Sequence, residues 1–369
     1  MASVNPPRGM RDFLPADKAR RERVLAVIRE RYRAHGFDEI ETPVMEDYDR
    51  LHAGIGGDNE KLAFNVLKRG LDAEAIAAAA DQPSRLSDLG LRYDLTVPLA
   101  RVVGMNPQMP KPFKRYQIAP VWRAEKPGRG RFREFVQCDV DIVGCADLTA
   151  DAECLAVGAA VLRALGVEDF VLRVNNRKLL TALLARLGIA EGEPAMAVLR
   201  TVDKLPKIGE EAVRALLQKE NGLSAEAADG IFEFLGLDPA TLSDWFADSE
   251  VGQKGAEELN TLLQLAAELG VRDKVEVDLS IARGLDYYTG TIYETFLTAS
   301  ESLGSVMSGG RYDDLLGMFG GASEPAVGIS LGVDRLFAGL LELGLVEADG
   351  NPTRVLVTVF DDSTRPASY

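Results

Sequence analysis

Phe113-Lys-Arg-Tyr-Gln-Ile-Ala-Pro-Val-Trp122, Arg123-Ala-Glu-Lys-Pro-Gly-Arg-Gly-Arg131 and Phe132-Arg-Glu-Phe-Val-Gln-Cys-Asp-Val-Asp-Ile-Val-Gly144 read as two strands around a loop. In the first run Arg115, Gln117 and Arg123 share one parity, and Tyr116, Ile118 and Trp122 the other. In the second, Gln137, Asp139 and Asp141 point one way and Cys138, Val140 and Ile142 the other. Side chains alternate across a strand, so one face packs and the other presents polar groups, the pattern of an antiparallel pair. Proline and two glycines predict a mobile tip between them. From Lys111 to Arg133 eight residues are basic and one, Glu125, is acidic, within a chain of net charge −15. A local positive site on a negative body suits a polyanionic ligand such as a nucleotide, or is merely a solvated hairpin; charge alone leaves both open.

Outward from this hairpin, Pro15–Ala34 has the spacing of an amphipathic helix, with Val24, Val27, Ile28 and Tyr32 as its apolar stripe and Gly36 past its end. Phe37–Thr42 alternates like a strand and stops at Pro43. Leu71–Ala80 is alanine-rich and predicts a short surface helix, and Leu148–Leu165 a longer one, with a strand at Asp169–Val174. From Asn175 to Leu269 the character changes to helices and loops, read as an inserted helical domain. Strands are expected again at Val275–Ile281, Thr291–Leu297 and Ala326–Leu331, a turn at Ser308–Asp313, and a helix to Leu343. Thr353–Phe360 predicts one further strand.

The chain has 369 residues, 46% apolar and 27% charged, which fits two to three folded domains and excludes wholesale disorder. Three cysteines, Cys138, Cys145 and Cys154, without a C-x-x-C pair, give neither a disulfide framework nor a cysteine zinc site. No apolar run reaches membrane-spanning length, so a cytoplasmic protein is expected. Only two histidines exist, which argues against histidine-based catalysis. His35 sits at a helix end, where a cation is favoured, and His52 has no assigned chemistry.

Four constellations carry chemistry. Arg123 and Glu125 at a strand end, with Arg129 and Arg131 in the loop, offer planar donors for phosphate oxygens, and Phe135 offers a face to a purine. Gly328 and Gly332, four apart before Arg335, let a flat ligand approach the backbone, although packing accounts for such glycines more often. Asp94 and Thr96 share parity and suit an α-ammonium group, or equally cap the helix that follows. Arg283-Gly-Leu-Asp-Tyr287-Tyr288 sets a cation beside two phenols at a bend, where paired tyrosines are more often core and rim.

Together these segments resemble the histidyl-tRNA synthetases, a family of class II aminoacyl-tRNA synthetases. The resemblance runs from Gly9-Met-Arg-Asp-Phe13 to Leu343. Gly36–Pro43 resembles class II motif 1, Arg123–Asp141 motif 2 and Gly328–Arg335 motif 3. Arg283–Gly290 and Ser308–Asp313 resemble two histidine-specific signatures, and Val202–Gly209 a segment of the family's insertion domain. The resemblance implies an α+β fold: a catalytic core with a six-stranded antiparallel sheet flanked by helices, plus a helical insertion domain. The implied divisions are 1–174 (first part of the core), 175–269 (insertion), 270–346 (second part) and 347–369 (linker and first strand of an incomplete anticodon-binding domain).

The resemblance further implies activation of L-histidine by ATP to histidyl-adenylate and transfer to tRNA(His), in a homodimer, with Mg2+ accompanying ATP and its protein ligands unassigned. Asp94, Leu95 and Thr96 would hold the α-ammonium group, Gln137 would assist, and Asp141 would accept from the imidazole beside Tyr287 and Tyr288. Arg123 would hold the α-phosphate and the reacting carboxylate. Arg283 would approach the same phosphate, which makes Arg123 and Arg283 the expected catalytic pair. Glu125, Arg131 and Arg335 would fix ATP, with Phe135 on adenine. The carboxylate nucleophile is already ionised, so no side-chain base is required, in keeping with the scarcity of histidine. Two local departures stand out: Gly70–Asp88 reads as a surface insertion, and the pocket acids are Asp94 and Asp141 where other branches carry Glu. The short C-terminal stretch also fits an alternative from another class, a non-catalytic histidine-sensing regulatory subunit of ATP phosphoribosyltransferase.

Overall fold

The computed structural model describes residues 4–55, 57–282, 288–314, 317, 323–346, 355, 357–363 and 365–368. Eleven strands are present among them: β1 (Asp38–Glu39), β2 (Met45–Asp47), β3 (Asn65–Leu67), β4 (Ser87–Leu91), β5 (Phe113–Trp122), β6 (Glu134–Val143), β7 (Phe170–Asn176), β8 (Val275–Val277), β9 (Thr291–Leu297), β10 (Met307–Arg311) and β11 (Ala326–Gly332). Eight form one sheet in the order β1-β5-β6-β11-β10-β9-β7-β8, and β2-β4-β3 form a second, small antiparallel sheet.

The expected six-stranded antiparallel sheet is therefore corrected to an eight-stranded mixed one. Its six central strands, β5 to β7 in sheet order, are antiparallel throughout. The two extra strands pair parallel at the edges, β1 on β5 and β8 on β7. They are two and three residues long, too short to print a period on the sequence. For that reason Phe37–Thr42 and Val275–Ile281 each contain less strand than their composition predicts.

A second correction concerns Ser308–Asp313. Glycine-rich and polar, it reads as a turn, yet Ser308–Arg311 lies within β10, hydrogen-bonded on both sides. Gly309 and Gly310 are there because their neighbours leave no room: a Cβ on Gly310 would lie 2.9 Å from the Tyr288 ring.

Helix Pro15–Ala34 packs on the core through Val24, Leu25, Ile28 and Tyr32, with Val27 only half-buried. Helix Thr149–Ala164 lies almost wholly inside, with eleven buried residues that include the small Ala152, Gly158 and Ala159. Small residues let a helix sit close to a sheet at native packing density. Between β7 and β8 the chain is helical, from Arg177–Arg186 to Glu250–Glu268. The apolar residues of these helices, among them Leu179, Val198 and Phe234, belong to the same buried cluster as Val140 and Ile292 in the sheet. The alanine-rich stretch forms a helix at Ala73–Ala78, capped by Asp72. Val355 and residues 357–360 belong to neither sheet and are exposed; the rest of the strand expected at Thr353–Phe360 lies outside the described residues.

His35 is the C-cap residue of the first helix, but burial lowers the pKa of its ring, so a neutral imidazole is favoured there. Cations at this helix end are supplied by Arg31 and Arg33 in the last turn and by Lys114, whose Nζ donates to the His35 carbonyl at 2.6 Å. His52 stacks on Tyr48 and bonds Asn65.

Candidate active site

A cleft of about 660 Å³ opens over the middle of the large sheet. Asp94, Thr96, Arg123, Glu125, Arg131, Phe135, Gln137, Tyr288 and Arg335 all line it, so residues from distant stretches of sequence share one cavity. Arg283 and Tyr287 lie outside the described residues. Two other expected residues stand behind the wall. Leu95 is fully buried in a small apolar cluster with Ala119 and Val121, and Asp141 is buried beneath the floor.

The turn from Asp94 into helix Thr96–Met105 bears out the capping reading of Asp94 and leaves its second oxygen open to a ligand. Its Oδ1 accepts the backbone N–H of Thr96 at 3.1 Å and of Val97 at 3.0 Å, which caps the helix. Its Oδ2 is buried and has no hydrogen-bond partner. A buried carboxylate oxygen left unmatched is costly, and a cationic ligand group would satisfy it. Burial raises the Asp94 pKa, opposed by the Val97 and Thr96 N–H groups and by Arg123.

The polar faces of β5 and β6 meet beneath the cleft through their register. Arg115 sits opposite Asp141, Gln117 opposite Asp139 and Ala119 opposite Gln137. Arg115 has no solvent exposure; its Nη2 lies 2.7 Å from Asp141 Oδ2 and donates to the Leu95 carbonyl at 3.1 Å. Tyr312 donates its hydroxyl to Asp141 Oδ1. Gly328 is required by the same carboxylate: any Cβ there would collide with it and come within 2.8 Å of the Val140 carbonyl oxygen. The approach this glycine admits is thus a side chain's rather than a ligand's, whereas Gly332 borders the cleft itself. Gln137 donates through Nε2 to Asp139 at 3.4 Å and to Ser330, while its Oε1 accepts from Arg123 Nη2 at 3.3 Å. Burial pushes the Asp139 carboxyl up to about 7, held back by Arg115 and reinforced by Asp141. Asp141 is raised by the same cause and opposed by Arg115 and Tyr312. Burial also raises the Tyr288 phenol, and four nearby carboxylates, Asp141, Asp139, Asp94 and Glu294, add to this. Arg115, Asp139 and Tyr312 were not singled out by sequence reasoning. The signal was present, since extending the hairpin pairing inward from the loop sets Arg115 against Asp141.

At the other end stand the arginines. Arg123 leaves the end of β5, donates through Nε to the Tyr93 carbonyl at 3.1 Å, and lies 5.2 Å from the centroid of the Phe135 ring. The loop beyond it closes in a tight turn, with reciprocal 3.0 Å bonds between Gly128 and Arg131. It is folded down rather than extended: Gly130, at φ +66°, packs on Arg335, and Arg129 pairs with Glu342. Arg131 lies 3.9 Å from Glu125. Arg335, in the first turn of helix Val333–Glu342, bonds the Ser305 carbonyl. Its neighbour Asp334 is clasped by Arg21, with bonds of 2.5 and 3.1 Å, and by Arg11, and accepts the Val136 N–H at 3.0 Å. Among the described residues no three carboxylate, histidine or cysteine side chains converge, so they build no metal cage.

Residues 9–336 match the family model described as Histidyl-tRNA synthetase. The histidine–tRNA ligase of Leifsonia xyli subsp. xyli is 48% identical over 372 residues, spanning 97% of this chain and 84% of that protein. The crystal structure of histidyl-tRNA synthetase from Nostoc sp. PCC 7120 matches with TM-score 0.81 and 35% identity, covering 100% of this chain and 82% of that one. A structure from Bacillus halodurans C, described as an ATP phosphoribosyltransferase regulatory subunit/histidyl-tRNA synthetase, matches with TM-score 0.74 and 25% identity over 95% of this chain and 84% of that one. The mixed sheet and its flanking helices are thus like those of the class II aminoacyl-tRNA synthetases. The chain belongs to the histidyl-tRNA synthetase family.

Proposed function

We propose that this chain is a histidine–tRNA ligase. It activates L-histidine with ATP to histidyl-adenylate, releases pyrophosphate and passes the histidyl group to tRNA(His). The observation that carries this is Asp94: one carboxylate oxygen is spent on the helix cap, and the other is buried and unmatched on the wall of the cleft that also holds Arg123. An α-ammonium group bound by Asp94 and Thr96 directs the amino acid's own carboxylate along the cleft toward Arg123. Asp141, held beneath the floor by Arg115 and Tyr312, is the group the family resemblance assigns to the imidazole, with Tyr288 beside it.

Adenylation then needs little covalent help from the protein. The histidine carboxylate attacks the α-phosphorus, the bond to the bridging oxygen breaks, and pyrophosphate leaves with its electron pair. Negative charge concentrates on the α-phosphoryl oxygens, where fixed guanidinium groups act before any reorganisation is required. Arg123 serves this role, joined by Arg283 on the strength of the family resemblance. Glu125, Arg131 and Arg335 orient ATP, and Phe135 supplies a face for adenine. Mg2+ belongs here to the nucleotide substrate, since magnesium is commonly carried on phosphate oxygens with few protein ligands. A pocket whose buried polar groups match an imidazole rejects analogues lacking its nitrogens, because those groups would then stand unpaired.

On the same basis residues 175–269 act as an insertion domain, the protein works as a homodimer in the cytoplasm, and residues 347–369 lead toward an anticodon-binding module. No described helix is long and apolar enough to cross a membrane. The test is histidine-dependent exchange of labelled pyrophosphate into ATP, followed by charging of a tRNA(His) transcript. Exchange with histidine alone among the amino acids is expected. Histidine binding without exchange would instead identify a histidine sensor and overturn the proposal.

A further inference from the structure

The amino-acid end of the cleft has two arms. One is the Asp94–Leu95–Thr96 turn, and the other is the floor carboxylate of Asp141. They come from separate segments, yet both touch one side chain. Arg115 lies beneath them with no solvent exposure, and its Nη2 is 3.1 Å from the Leu95 carbonyl and 2.7 Å from Asp141 Oδ2. Its strand position fixes this, because Arg115 is directly opposite Asp141 in the β5–β6 register. The backbone carbonyl it binds belongs to the residue between Asp94 and Thr96, at the start of a helix whose first turn Asp94 caps.

Charge supplies the second half. Asp94, Asp139 and Asp141 are all buried, and Arg115 opposes the effect of burial on each of them. Three buried carboxylates with no cation among them could not all stay ionised. A guanidinium is suited to this place because it stays protonated, and here one nitrogen, Nη2, faces both acceptors while Nε and Nη1 are buried without a hydrogen-bond partner.

We infer that Arg115 is the positioning residue of the histidine pocket: one buried guanidinium sets both the turn that receives the α-ammonium group and the carboxylate that receives the imidazole. It touches neither substrate and lies outside the cleft lining. The inference rests on the function proposed above, and it places histidine recognition and nucleotide recognition on separate supports. Among the described residues the contacts of Arg115 run to Leu95 and Asp141 and none reaches the loop arginines, so its loss should fall mainly on one substrate.

Three variants test this: Arg115→Lys, which keeps the charge without the fork; Arg115→Met; and Arg115→Met with Asp139→Ser, which removes one charge of each sign and preserves the net charge beneath the floor. Each is compared with the parent for thermal melting, histidine binding by calorimetry, and KM for histidine and for ATP in pyrophosphate exchange. The expected result is a rise in KM for histidine of about tenfold or more in Arg115→Met and in the paired variant. KM for ATP should stay within about twofold, with partial recovery in Arg115→Lys. Equal losses toward both substrates, or an unchanged KM for histidine in a folded variant, would overturn the inference. Should Arg115→Met fail to fold, the paired and lysine variants decide. A parent protein that neither binds histidine nor exchanges pyrophosphate would refute the proposed function itself, which is a different outcome from a parent that works and variants that match it.

Discussion

At the end of the cleft proposed above for histidine, the charged groups hang from the middle of strands or the start of a helix and are shut away from water. At the nucleotide end, arginines stand on a strand terminus, a loop and a helix start, and much of their surface is wet. Arg115 is fully enclosed, whereas the side chains of Arg131 and Arg129 are 43% and 61% exposed. The contrast matches what the two ligands demand. A small amino acid must be told from its analogues, which requires buried groups that suffer when unmatched. A triphosphate is met mainly by placed positive charge, which long arginines can supply from a partly exposed loop. Arg123 stands at the seam, bonded to Gln137 on one side and adjoining the loop on the other.

The contrast can be broken by experiment, and the seam is where the effect should be largest. Arg123→Ala should lower kcat/KM in pyrophosphate exchange by about 10³-fold, as loss of a preorganised charge partner does, with the melting temperature nearly unchanged. A large loss of stability instead would make Arg123 part of the rigid floor. Gly328→Ala should act the other way, costing about 3 kcal/mol in chemical denaturation, because the new methyl group overlaps the Asp141 carboxylate and has no room to retreat. A near-neutral effect would show that the floor yields.

The buried carboxylates also predict a pH dependence. Asp139 titrates near 7 when folded, above its unfolded value, so between about pH 4 and 7 the folded state binds the extra proton. Its contribution to stability is present at low pH and lost as pH rises through 7. Asp139→Asn should therefore gain on the parent by up to about 1.4 kcal/mol per pH unit across that window and run parallel to it above. Denaturant melts at a series of pH values would show a flat difference if Asp139 were solvated. The smallest effect belongs to the wet end: Arg129→Ala removes an exposed ion pair with Glu342 and should change stability by less than about 1 kcal/mol.

Much of this was legible in the sequence, and what was missed has physical causes. The β5–β6 hairpin, helix Pro15–Ala34 and the strand Thr291–Leu297 announce themselves by period, because each is long and has one packed face. The edge strands β1 and β8 fall inside stretches read as strands, but only two and three of their residues pair, an extent set by distant chain. Gly309 and Gly310 signalled a turn locally, whereas the crowding that calls for glycine comes from β11 and Tyr288, which no local window contains. Asp94 was ambiguous because its two oxygens have different surroundings, one bonded into the helix cap and the other buried without a partner. Arg115 looked like one more member of a basic run. Alternation puts it on the same face as Gln117, but depth beneath a cleft is a property of the whole sheet.

One contact ties the two ends of the chain together. Arg21 and Arg11 reach Asp334, more than three hundred residues later in sequence. During synthesis from the N-terminus the first helix is therefore made long before the carboxylate that neutralises it exists, and contacts of such high sequence separation close slowly. Until position 334 leaves the ribosome, Arg11 and Arg21 are without the carboxylate that pairs with them in the folded chain. A deletion that removes Arg11 or Arg21 would therefore take a partner from Asp334 at the edge of the cleft.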